Sequence, residues 1–252
     1  MLTAITRKPS PALARCELEF LPRVAIDLAK AIEQHRRYED CLAELGARVI
    51  SLPAEEHFPD SMFVEDPAVV LDEIAVMTRP GAASRRGEAP ALARALQPFR
   101  ELKWIAEPAT LEGGDVMRIG RTLYVGASRR TNAAGIAQLK QFVEPLGYSV
   151  VAVPVAGCLH LKSACCYAGE ATVLANRAWF DATPLHSLRI LDVPESSGAN
   201  VLRVGETLLA PLQFPQTRAL LETSGFRVRT LDISEALKAE AALTCSSLLF
   251  DA

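Results

Sequence analysis

Cys245 lies seven residues before the last residue, in Leu243-Thr244-Cys245-Ser246-Ser247-Leu248-Leu249-Phe250. Far upstream stand Phe63-Val64-Glu65-Asp66, Leu111-Glu112-Gly113-Gly114-Asp115 and Leu159-His160-Leu161-Lys162. A thiol, an imidazole and several carboxylates, each in a short apolar segment, are the components of a cysteine-nucleophile enzyme. In such an enzyme the thiolate attacks, the histidine moves protons, and the carboxylates orient and balance charge.

Each group also has a plainer reading. Asp60, Glu65 and Asp66 crowd into Phe58-Pro59-Asp60-Ser61-Met62-Phe63-Val64-Glu65-Asp66-Pro67. On a strand, Glu65 and Asp66 face opposite sides, so one acid turns inward and demands a partner. A turn at Asp60 and an ion pair at a strand end would equally account for them. The glycines after Glu112 permit close backbone approach to a ligand, or simply a turn before a hairpin. Alternation puts Cys158, His160 and Lys162 on one face of a strand, with Leu159 and Leu161 on the other; a lone histidine there also serves structural roles. Cys158, His160, Cys165 and Cys166 do not match common zinc spacings, and adjacent cysteines on a strand point opposite ways. Ser84-Arg85-Arg86 and Ser128-Arg129-Arg130 each follow the second strand of an expected hairpin. Two such arginine loops suggest an anionic substrate group, since guanidinium binds carboxylate through two parallel hydrogen bonds; solvated surface charge is the ordinary alternative. Phosphate-loop, HExxH, GxSxG and dinucleotide motifs are absent.

The elements that must position these groups form a repeat. Val64 to Met77 is an apolar run, a polar turn at Asp72-Glu73, and a second apolar run. Gly114 to Gly126, Lys162 to Ala175 and Ala199 to Ala210 repeat the design, turning at Gly120-Arg121, Gly169-Glu170 and Gly205-Glu206. Each reads as a β-hairpin. The turns recur about every 35 to 50 residues, a spacing typical of propellers and arrays. Helical patterns lie between, over Glu88–Phe99, Asn132–Leu146 and Pro215–Ser224, with Gly147 and Gly225 as stops. Asp27 to Leu45 is an amphipathic helix with Leu28, Ala31, Ile32, His35, Tyr38, Leu42 and Leu45 on one stripe, capped by Asp27 and stopped by Gly46. Arg48 to Pro53 follows as a strand. Four hairpin–helix units, plus a first unit split between the two chain ends, predict five modules around an axis; an ordinary α/β sandwich is the alternative.

Composition narrows the function classes. The 252 residues are 50% hydrophobic, enough for a sizeable core, and no linker or low-complexity stretch divides them, so one domain over residues 1–252 is expected. A net charge of −3 gives no basis for binding nucleic acid or an anionic membrane. No apolar run reaches transmembrane length, and the first residues lack the apolar core of a signal peptide. The six cysteines are too few for a disulfide scaffold in a chain of this size, so free thiols in a reducing cytoplasm are expected.

Six strings, in order, resemble the dimethylarginine dimethylaminohydrolases, a branch of the guanidine-modifying enzymes. They are Pro59-Asp60-Ser61-Met62-Phe63-Val64-Glu65-Asp66, Thr78-Arg79-Pro80-Gly81-Ala82 with Ser84-Arg85-Arg86, Ala109-Thr110-Leu111-Glu112-Gly113-Gly114-Asp115, Arg130-Thr131-Asn132, Leu159-His160-Leu161-Lys162-Ser163 and Leu243-Thr244-Cys245. The resemblance runs almost end to end. It implies the pentein fold, a five-module pseudo-symmetric α/β-propeller, which agrees with the repeat. It also implies that Cys245 is the nucleophile, His160 the general acid and base, and Glu112 the residue orienting it. Asp66 would hold the guanidinium with Glu65 nearby, Arg85 and Arg130 the α-carboxylate, and Asp60 the α-amino group. Leu18 would sit on a lid, and the backbone around Ala239 would contact the substrate.

The implied activity is hydrolysis of Nω-methylated arginines to citrulline and a methylamine through a covalent intermediate on Cys245, with no metal or organic cofactor, in a monomer or homodimer. Arginine or another N-substituted guanidine is the alternative substrate. An inactive binder of arginine-like ligands, or a thiol redox protein using Cys165-Cys166, are readings of other classes. Family members often carry Asp-Gly where Glu240-Ala241 stands, and the lid segment diverges as well, so the guanidine chemistry is better supported than the methylated substrate.

Overall fold

A computed structural model describes residues 1–252. Five three-stranded sheets make up the β-structure. In order along the chain the strands are β1 (Leu2–Arg7), β2 (Arg48–Leu52), β3 (Ala68–Val70), β4 (Ile74–Met77), β5 (Glu101–Trp104), β6 (Val116–Ile119), β7 (Thr122–Ala127), β8 (Ser149–Pro154), β9 (Cys165–Gly169), β10 (Thr172–Ala175), β11 (Arg189–Asp192), β12 (Leu202–Val204), β13 (Thr207–Pro211), β14 (Arg227–Leu231) and β15 (Leu248–Asp251). Every sheet is built alike: its central strand pairs antiparallel with the strand before it and parallel with the strand after it. The split unit obeys the same rule, with β15 antiparallel and β2 parallel to β1. The first strands of all five modules, β3, β6, β9, β12 and β15, line one cavity of about 300 Å³. This is the five-module α/β arrangement that the repeat predicted.

A parallel pair needs a crossover, normally a helix. Helices α1 (Leu28–Glu44), α2 (Ala89–Leu96), α3 (Ala133–Val143) and α5 (Pro215–Thr223) supply it in four modules, while α4 (Leu161–Ala164) and α6 (Ser234–Leu237) are single turns elsewhere. Asp27 caps α1 by accepting from the Lys30 amide, and Asn132 caps α3 by accepting from the Gly135 amide. The fourth module departs from the expected hairpin–helix pattern: β10 reaches β11 through two short 3₁₀ turns, Arg177–Trp179 and Thr183–Leu185. On α1 the predicted stripe is buried at Ala31, His35, Tyr38 and Leu42 and half-buried at Leu28 and Leu45; the face also takes in Gln34 and Cys41, while Ile32 is exposed. Gln34 belongs inside because its amide binds Ser234 Oγ and the Glu235 N–H.

The hairpins also begin later than their apolar runs suggest. Val64–Pro67 is turn, Gly113–Asp115 a 3₁₀ turn, and Leu161–Ala164 a helical turn. Their backbone groups bond across module boundaries instead of along ladders. The Glu65 N–H donates to the Cys245 carbonyl, Gly113 to the Asp66 carbonyl, and Leu161 to Asp115 Oδ1.

The largest apolar cluster joins the second and third modules through Leu71, Val76, Leu111, Leu123, Val125 and Leu139. Leu139 on α3 has no exposed surface. Leu139→Ala is expected to lower folding stability by about 2–5 kcal/mol. Urea unfolding should show a lower midpoint at an unchanged slope.

Candidate active site

The polar residues predicted from the sequence converge at the module joins. One small cavity is lined by Asp60, Asp66, Arg85, Arg130, His160, Ala239 and Cys245, together with Glu17 and Glu240. Asp66 sits at its wall. Its Oδ1 accepts from the Gly114 N–H at 3.0 Å, and its Oδ2 accepts from Arg85 at 2.5 Å. His160 precedes α4 and donates Nε2–H to, or shares it with, Glu112 Oε2 at 2.6 Å; its Nδ1 lies 3.8 Å from Asp66. Glycine is required beside this pair, since a Cβ on Gly114 would stand 2.6 Å from His160 Nδ1 and 2.7 Å from Asp66 Oδ1. Gly113 is equally constrained, with the Glu65 carbonyl 2.0 Å from where its Cβ would be.

The sequence placed Cys158, His160 and Lys162 on one face of a strand. The structure corrects this: His160 is an extended residue at the start of a helical turn, so the side chains diverge. Lys162 pairs with Glu65 at 2.5 Å, and Glu65 also accepts from Thr244 Oγ1 at 2.8 Å. Glu65, Lys162 and Thr244 line the axial cavity, whereas Asp66 and Cys245 face the site. The opposed directions of Glu65 and Asp66 survive, although the segment is a turn and not a strand. Cys165 enters one core cluster with Cys158, and Cys166 another, so the adjacent cysteines do point apart; all six thiols are free.

Two expectations need revision. The Leu18 side chain packs against an apolar cluster around Leu13, Ala31 and Phe63 and does not line the cavity; the neighbouring Glu17 does. Arg85 lines the cavity but is no free clamp. It is buried, and its donors go to Glu88, Asp66 and the carbonyls of Asp60 and Phe63. Arg130 binds Glu19 through Nε at 3.1 Å and approaches Glu112 at 3.5 Å. Asp60 accepts the Glu17 N–H with both oxygens, and the Ala239 N–H is taken by the Ala236 carbonyl. Sequence reasoning missed Glu88, which holds Arg85, and Asp115, which fixes α4 by accepting from Leu161 N–H at 2.9 Å and Ser128 Oγ at 2.6 Å. The signal for Asp115 was present in the Glu-Gly-Gly-Asp string; nothing local distinguishes Glu88 from a surface acid.

Electrostatics set the proton positions. Burial opposes charge on His160, but Asp66, the Glu112 hydrogen bond and Asp115 outweigh it and push its pKa up to about 9. Burial likewise opposes charge on Asp66 and Glu112, yet both are held below the usual carboxylate range, Asp66 by His160 and Arg85, Glu112 by His160. Burial, then the charges of Glu65 and Asp66, push the Cys245 thiol far up, and a weak donation from the Ala242 N–H to Sγ at 3.4 Å only partly offsets them. The resting site therefore holds a neutral thiol beside an imidazolium. Asp66, Glu112 and His160 bring potential ligand atoms within 4.8 Å of one another. A proton shared between His160 and Glu112 competes with any metal there, because a histidine ligand must be neutral.

Glu112→Gln removes one of the charges that hold the His160 proton. The His160 pKa, read by NMR titration of the ring protons, is expected to move down from about 9. The same sign governs stability. A histidine raised above its ordinary value stabilises the fold at low pH and loses that contribution as pH rises through about 9.

Residues 22–175 match the family described as N,N dimethylarginine dimethylhydrolase, eukaryotic. The N(G),N(G)-dimethylarginine dimethylaminohydrolase of Streptomyces coelicolor is 42% identical over 97% of this chain and 95% of its own length. Its namesake from Pseudomonas aeruginosa is 37% identical over 89% of this chain and 90% of its own. A solved structure of the Pseudomonas protein, a cysteine-to-serine mutant complexed with citrulline, superposes with a TM-score of 0.94 at 35% identity, covering 99% of this chain and all of that one. The N-terminal domain of ArgZ, an arginine dihydrolase of cyanobacteria, shares the fold with a TM-score of 0.88 at 20% identity. A shared fold, close sequence identity over nearly the whole length and the ordered site strings agree: the chain belongs to the dimethylarginine dimethylaminohydrolase family.

Proposed function

We propose that this chain is a dimethylargininase, hydrolysing Nω,Nω-dimethyl-L-arginine and Nω-monomethyl-L-arginine to L-citrulline and the corresponding methylamine. The observation that carries the reading is one cavity that joins a thiol, an imidazolium, a buried carboxylate and arginine donors. Asp66 holds the guanidinium, with Glu65 adding negative potential from behind. Arg130 binds the α-carboxylate directly, and Arg85 contributes its charge. Asp60 takes the α-amino group, the backbone at Ala239 lines the same space, and the segment carrying Leu18 covers it.

A guanidinium carbon is a poor electrophile, so the first requirement is position: held nitrogens fix the carbon against Cys245. Burial and then the charges of Glu65 and Asp66 keep the proton on Cys245, and a cation held by Asp66 offsets that negative potential. Substrate binding thus favours the thiolate, the thiol proton passing to solvent. The thiolate adds to the central carbon. Protonated His160 gives its proton to the departing amine as the C–N bond breaks, leaving an S-alkylthiouronium on Cys245. His160, now neutral, takes a proton from water, whose oxygen adds to the same carbon. The C–S bond then breaks, the proton of the added hydroxyl restores the thiol, and neutral citrulline leaves with His160 again protonated. No bond change in this sequence calls for a metal or organic cofactor. Residues 1–252 act as one catalytic domain, monomeric or homodimeric; the free thiols fit a reducing cytoplasm, and no helix is long and apolar enough to cross a membrane.

Purified protein incubated with dimethylarginine is expected to release citrulline, and with arginine to release far less. Citrulline chiefly from arginine would reassign the substrate to that of a deiminase. Cys245→Ser is expected to abolish turnover, and near-normal activity in that variant would sink the mechanism.

A further inference from the structure

We infer that Glu19 is a tethered stand-in for the substrate carboxylate, occupying Arg130 in the empty enzyme so that substrate must displace it. This rests on the reading that Arg130 receives the α-carboxylate. The small cavity has a volume of about 20 Å³, room for about one water molecule, while a larger cavity of about 360 Å³ reaches Cys245 past Phe20, Leu21 and Asn200. Arg130 and Asp60 are both engaged by the segment between Cys16 and Asp27, which has no helix or strand. Glu19 Oε2 accepts from Arg130 Nε at 3.1 Å and Glu19 Oε1 from Arg129 at 3.0 Å. The Arg130 side chain is 10% exposed and that of Glu19 20% exposed, so this pair is largely out of water.

The backbone at Glu19 is pinned independently. Glu240 accepts the Glu19 N–H at 2.9 Å, the Phe20 N–H at 2.5 Å and the Leu21 N–H. Glu240 does this from a left-handed conformation, φ 55°, that an L side chain adopts only when its surroundings hold it there. Phe20 is steadied in turn by the Arg129 guanidinium, 5.8 Å from its ring centroid. Glu17 is tied down as well, its N–H on Asp60 and its carboxylate accepting from Ser84 Oγ at 2.5 Å. The two polar groups assigned to the substrate's α-carboxylate and α-amino ends, Arg130 and Asp60, are therefore both engaged by the lid itself: Arg130 by a carboxylate, Asp60 by an N–H.

An internal competitor multiplies the apparent dissociation constant by the factor that describes its own occupancy. Glu19→Gln keeps the size of the side chain and removes the charge. It is expected to lower the KM for dimethylarginine about three- to tenfold with kcat unchanged. The KM for Nω,Nω-dimethylagmatine, which has no carboxylate to compete, should not move. The same comparison made by calorimetry in the Cys245→Ser background needs no turnover and should give the same ratio of dissociation constants. Failure of the wild type to release citrulline would refute the hydrolase reading while the binding ratio still decides the role of Glu19. An unchanged or raised KM and dissociation constant in Glu19→Gln, or equal shifts for dimethylarginine and dimethylagmatine, would overturn the proposal, as would failure of dimethylarginine to bind either protein.

Discussion

Asp66 is a buried charge, and a buried charge without partners costs several kcal/mol. Its environment is accordingly complete: the Gly114 amide and Arg85 on its oxygens, His160 nearby, and its own carbonyl accepting from Gly113 N–H and Thr78 Oγ1. These partners come from different modules, so satisfying one carboxylate fixes the second, third and fourth modules against one another. The pattern propagates outward. Arg85 needs Glu88, His160 needs Glu112, and α4 needs Asp115. The charges that define the site are also the joints that hold the propeller in register.

The architecture explains why these residues cluster at the starts of the hairpins. Each module sends its first strand to the axis, and the residues just before that strand have left the sheet ladder. They are free to bond across the boundary. Chain neighbours there face different spaces: Glu65 and Thr244 look into the axial cavity, Asp66 and Cys245 into the site. Two short turn segments, at Glu65-Asp66 and Thr244-Cys245, thus each serve both the axial cavity and the pocket.

The same field gives the site its proposed selectivity. Burial raises the thiol pKa, and Asp66 raises both it and that of the imidazole, so the resting enzyme is a poor nucleophile with a charged acid. A substrate cation changes both terms at once. Neutral electrophiles lack that lever, and the chemistry is tied to guanidinium-like ligands by electrostatics as much as by shape. The lid adds a second condition on the other end of the substrate, because, as proposed, Glu19 occupies Arg130 until a substrate carboxylate replaces it.

The sequence by itself determined the module repeat, the split first unit and the capped helices, and its six family-like strings named the candidate reacting residues. These are local properties: turn residues, apolar periodicity and short strings of fixed composition need no knowledge of distant chain. It did not determine where the hairpins begin, that the fourth module lacks its helix, that Arg85 is saturated by Glu88 and Asp66, or that Glu19 meets Arg130 and Glu240 the amides of the lid. Those depend on pairings between residues up to more than two hundred positions apart, such as Glu240 with the amides of Glu19 to Leu21. Side-chain direction at the module joins likewise follows from hydrogen bonds made across boundaries and not from strand alternation. Only the folded chain decides which acid meets which cation, because desolvation makes every such meeting obligatory and the sequence does not say who is near.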